Sequence, residues 1–95
     1  MSTDIMDIEY YRNEIDAIDQ KVLELVNKRA GLALNIAKLK QELSRPIFDP
    51  EREKRILEHL KSQNKGPLSG SAIENIFSII ISENRELENK RSNGG

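Results

Sequence analysis

From Ile8 to Leu43 the apolar residues recur at alternating steps of three and four: Ile8, Tyr11, Ile15, Ile18, Val22, Leu25, Leu32, Ile36, Leu39 and Leu43. That rhythm is a heptad seam on an α-helix. It breaks once, where Arg29 takes an apolar place between Leu25 and Leu32. A second stripe beside it, Leu23, Val26, Ala30, Ala33 and Ala37, meets Lys40 at its next step. No proline interrupts residues 10–43, and the lone Gly31 costs such a helix only about 1 kcal/mol. A helix over that span is about 51 Å long. A compact globule of 95 residues has a radius of gyration of about 12 Å, hence a diameter of about 32 Å. The helix is longer than the globule that would have to cover it. A second copy of the chain could cover its stripe, so the seam predicts a homodimer.

Two further helices follow. Residues 1–8 read as a loose lead-in, and the long helix runs to about Leu43. Ser44-Arg45-Pro46 stops it, since proline disfavours helix at the residue before it. Asp49-Pro50-Glu51 opens a second helix with an N-cap carboxylate, proline at the first position and an acid in the first turn. That helix spans about Pro50 to Gln63, turns Ile56, Leu57 and Leu60 inward, and ends at Asn64-Lys65-Gly66-Pro67. Ser71-Ala72-Ile73-Glu74 has the capping-box pattern. It predicts a third helix to about Lys90 that buries Ile73, Ile76, Phe77, Ile80 and Ile81 and leaves 91–95 as a loose tail. With no strand signal, the expected fold is all-α: three helices, the first very long, in one domain over residues 1–95.

Composition narrows the function. The chain has no cysteine, so disulfides, thiolate nucleophiles and cysteine-based metal sites are excluded. A net charge of −1 from 15 basic and 16 acidic residues argues against a nucleic-acid surface. Four aromatics, Tyr10, Tyr11, Phe48 and Phe77, are too few for a base-stacking platform. His59 projects from the polar side of the second helix with no metal partner at helical spacing. The N-terminus lacks a basic and apolar leader, and no apolar run approaches the length of a membrane span. A cytoplasmic protein with no membrane segment is expected.

The polar residues on apolar faces carry the chemistry. Arg29 and Lys40 stand eleven residues, about 16 Å, apart on one side of the long helix. Side chains of that length can close on a small anion; alternatively, each snorkels to water or pairs with a carboxylate. Arg12 lies about 25 Å from Arg29 along the axis, so one small ligand cannot touch both in one chain. An antiparallel partner helix would bring them together. On the second helix Glu53 shares the face of Ile56, Leu57 and Leu60, with Arg52 at its margin. Those two read equally as site residues or as a first-turn ion pair, and Asp49 is accounted for as a cap. On the third helix the stripe through Phe77 and Ile81 continues to Asn84 and Glu88, a pattern that a wet helix end also produces. The set contains cations, carboxylates and an amide but no nucleophile. It suits a small polyanion and chemistry driven by shape and charge.

At these residues the chain resembles the all-helical chorismate mutases over about Tyr10 to Glu88. The resemblance is carried by Arg12-x-x-Ile15-x-x-Ile18-Asp19, Leu25-x-x-x-Arg29, Lys38-x-Lys40 and Arg45-Pro46-x-x-Asp49-x-x-Arg52-Glu53. It implies an intertwined homodimer with two equivalent shared sites, no cofactor, and the rearrangement of chorismate to prephenate on the way to phenylalanine and tyrosine. It further implies that Arg29 and the partner's Arg12 grip the substrate carboxylates. Lys40 would donate to the ether oxygen, Arg52 would support the substrate's charge, and Glu53 with Asp49 would take the ring hydroxyl. Asn84 and Glu88 stand where family members often carry serine and glutamine; some use glutamate at the latter place. Two other expectations remain beside it. One is an isochorismate pyruvate-lyase, similar in fold and in its cationic pocket. The other is a non-catalytic helical dimerisation or regulatory module.

Overall fold

A computed structural model describes residues 5–94 as three helices: α1 (Ile5–Glu42), α2 (Pro50–Gln63) and α3 (Gly70–Gly94). The first four residues of the expected lead-in and the last residue of the expected tail lie outside the described residues. The remainder of both segments is helical instead. α1 opens three residues before its seam, with Asp7 in the first turn where a carboxylate complements the positive end of the helix dipole. α3 continues past Lys90 because no proline or glycine stops it before Gly94, and an i,i+4 pair of Glu86 with Lys90 spans its last turns.

The stops and starts are built by local hydrogen bonds. α1 ends in a Schellman motif: Arg45 N–H reaches the Lys40 carbonyl at 2.7 Å and Ser44 N–H reaches that of Gln41 at 3.1 Å. Ser44 takes the left-handed conformation at the turn, with φ 55°. Asp49 caps α2 by accepting from Arg52 N–H at 3.1 Å, with Pro50 as the first helical residue. At α3 the cap is Ser69 and not Ser71: its hydroxyl accepts from Ala72 N–H at 3.0 Å. Glu74, expected to close a capping box, instead meets Lys61 of α2 at 3.1 Å.

α3 packs against both α1 and α2, while α1 and α2 do not pack directly on each other. They form the two walls of a groove floored by α3. Only Ala37, Ile81 and Asn84 are buried among the described residues. Ile76, expected inside, is 44% exposed, because neither neighbour covers that side of α3. The seam of α1 is open along its length, with Ile15, Ile18, Val22 and Leu25 each at least half exposed. The radius of gyration is 17.8 Å and the extents are 64 × 28 × 14 Å, far from the roughly 12 Å of a compact chain of this size. No helix among the described residues is long and apolar enough to cross a membrane.

Candidate active site

The groove closes into a cavity of about 410 Å³ toward the C-terminal half of α1, within the usual size of a small-molecule site. Leu32, Ala33, Ile36, Ile56 and Ile81 give it apolar walls. Every expected site residue except Arg12 lines it: Arg29 and Lys40 from α1, Asp49, Arg52 and Glu53 from the start of α2, Asn84 and Glu88 from α3.

The two α1 cations are held by neutral acceptors. Arg29 donates to the Asn84 side-chain oxygen, and Asn84 is itself only 7% exposed. Asn84 is thus a buried cavity-lining residue and not a wet helix end. Lys40 donates through Nζ to the Ile47 carbonyl at 3.1 Å. Among the described residues neither cation has a carboxylate within ion-pair distance. Both are half-buried, so each is oriented without being neutralised and keeps its charge for a ligand in a poorly screened pocket.

Glu88 lines the same cavity from α3. Burial pushes its carboxyl above the usual range, against the pull of Lys40; Glu53 adds to the rise, while Arg29 and Arg85 oppose it. Desolvation wins this contest, and it favours the protonated form, the only one in which a carboxyl group can donate.

Arg85 is a cavity residue that the α3 stripe reading passed over. One of its guanidinium nitrogens lies 2.7 and 2.5 Å from the two oxygens of Glu53, and its Cζ sits 4.7 Å from the centroid of the Phe48 ring. Its position beside Asn84, four residues after Ile81 and three before Glu88, was the available signal. Glu53 thus pairs with Arg85 across the groove and not with its neighbour Arg52, which remains exposed at the cavity mouth. Arg12 is at the other end of α1, exposed and paired with Glu9 at 2.9 Å.

The family model for type II chorismate mutases matches residues 11–89. A chorismate mutase of Methanocaldococcus jannaschii is 40% identical over 81 residues, covering 81% of this chain and 79% of that one. A bifunctional chorismate mutase/prephenate dehydratase of Aquifex aeolicus is 39% identical over 88 residues, covering 88% of this chain and 24% of the relative. The chain therefore spans about a quarter of the length of that bifunctional relative. Among solved structures, form II of the Thermus thermophilus chorismate mutase superposes with a TM-score of 0.87 at 32% identity, covering 88% of this chain and 96% of that one. The Helicobacter pylori chorismate mutase in complex with prephenate gives a TM-score of 0.80 at 34% identity, with 87% and 90% covered.

Proposed function

The chain belongs to the type II chorismate mutase family, and from that premise we propose that it rearranges chorismate to prephenate in the cytoplasmic synthesis of phenylalanine and tyrosine. The observation that carries this reading is the pair of half-buried cations, Arg29 and Lys40, each fixed by a neutral acceptor over one cavity. A dianion entering there meets positive charge already oriented and not yet cancelled. That the Helicobacter pylori relative holds prephenate supports the same class of ligand here.

A pericyclic rearrangement moves electrons within one molecule, so it needs neither a nucleophile nor a resident cofactor. A protein can hold the flexible substrate in its reactive chair and stabilise the charge that grows on the ether oxygen as the carbon–oxygen bond breaks. In this chain Lys40 donates to that oxygen, and Glu88 donates to it when its carboxyl carries a proton. Arg29 takes a carboxylate, with Arg52 adding positive charge at the mouth. Glu53 and Asp49 receive the ring hydroxyl.

The family resemblance assigns the second carboxylate to a cation from the other chain. The partner's Arg12 fills that role in the proposed intertwined homodimer. Support comes from the open seam of α1 and from an extended protomer whose radius of gyration is 17.8 Å. The test is to incubate the purified chain with chorismate and follow prephenate. Formation of prephenate is expected. Release of pyruvate from isochorismate in its place would assign lyase chemistry, and turnover of neither substrate would leave a binding module.

A further inference from the structure

Arg85 differs from the other cavity cations in having its charge already spent. Glu53 takes one guanidinium nitrogen on both carboxylate oxygens, at 2.7 and 2.5 Å, while the ring of Phe48 covers the guanidinium face. Among the described residues, Arg29 and Lys40 donate hydrogen bonds to neutral acceptors and form no ion pair. A ligand carboxylate that recruited Arg85 would have to break both contacts to Glu53 and leave that carboxylate uncompensated in the cavity. Arg85 is therefore poorly placed to grip substrate and well placed to hold Glu53.

The geometry of the hold leaves Glu53 functional. A carboxylate has about four lone-pair sites. A single nitrogen between the two oxygens occupies the inner pair, so the outer pair stays free to accept a hydroxyl proton. Phe48 backs the guanidinium, and a planar cation can stack on a ring while donating in its own plane, which an ammonium cannot. Glu53 sits in the first turn of α2 and Arg85 on α3, so the pair also fixes that carboxylate relative to the helix bearing Asn84 and Glu88.

We propose that Arg85, braced by Phe48, is a positioning residue that holds the Glu53 carboxylate in the orientation that receives the substrate's ring hydroxyl. The kinetic half of this rests on the chorismate mutase reading. Removing the hold loosens a contact made in ground and transition states alike, so Arg85→Met raises KM roughly tenfold with kcat within about twofold. In a Glu53→Gln background the same substitution adds less than about twofold, because the group it acts through is already altered. Arg85→Lys keeps a donor to both oxygens and recovers part of the lost KM.

A second measurement does not depend on turnover. Side-chain NMR relaxation should report an ordered Glu53 in the native chain and an averaged one in Arg85→Met, with the thermal melt of both proteins recorded alongside. If Glu53 stays ordered without Arg85, or if the Arg85→Met and Glu53→Gln losses multiply as for two independent substrate contacts, the positioning role is wrong. Absence of prephenate from the native protein would overturn the proposed function instead, and the relaxation comparison would still decide the role of Arg85.

Discussion

Glu88 and Lys40 face the same cavity, and each governs what the other can do. Burial raises the Glu88 carboxyl against the pull of Lys40, so Glu88 binds its proton more tightly in the folded chain than in the unfolded one. The stabilisation this gives is complete below the unfolded value of about 4.3 and lost as pH rises through the higher folded one. Glu88→Gln should therefore melt above the native protein at pH 8, with the gap closing toward pH 5 in a series of thermal scans. The same proton matters for rate: native turnover should climb as pH falls from 8 toward 5, while Glu88→Gln gives a flat profile and is faster at neutral pH. A level native profile would take Glu88 out of the reaction. Lys40→Met should cost roughly 10²–10³-fold in kcat yet shift the melt little, since the half-exposed Ile47 carbonyl can turn to water. Much of this was legible in the sequence, because a cation or amide that interrupts an apolar stripe announces itself by position. Arg85 was legible only as a neighbour of that stripe, since the partner it pairs with lies 32 residues away.

The segment between α1 and α2 does more than connect. Ile47, Phe48 and Asp49 follow one another, and each fixes a different part of the cavity: the carbonyl that orients Lys40, the ring behind Arg85, and the cap that starts α2. Three consecutive anchors leave no slack, so a glycine inserted after Pro46 should abolish turnover, whereas one inserted after Lys65 should be tolerated in the same assay. Ser44 at the close of α1 pays a conformational cost that glycine would not. Ser44→Gly should raise stability by about 0.5 kcal/mol, the strain relieved less the entropy added to the unfolded chain, as read from denaturant unfolding. Helix ends set by local chemistry, such as Asp49-Pro50 and Ser44-Arg45-Pro46, could be read from the sequence. The start of α3 could not be read correctly, because Ser69 and Ser71 both offer a cap and only the contact of Glu74 with Lys61 shows which pattern is unused.

At the scale of the whole molecule, the open α1 seam and the distance from Arg12 to the cavity make one prediction. In the proposed homodimer each site draws on both chains, so Arg12→Ala and Arg29→Ala proteins should each be inactive and should complement when mixed. Random exchange would put both lesions in one site of each heterodimer and none in the other, returning about a quarter of native activity. Exchanged subunits that stay inactive would end the shared-site model. The length of α1 was the clearest whole-molecule signal in the sequence, because a helix of about 51 Å cannot be wrapped by two shorter ones. Its uncovered seam also reaches beyond the test tube. If the proposed homodimer forms and chains are scarce relative to the strength of their pairing, the number of complete sites follows the square of chain concentration, so halving expression would cut output about fourfold. With such a dimer, a cell carrying this protein would feel a change in gene dosage more steeply than the dosage itself.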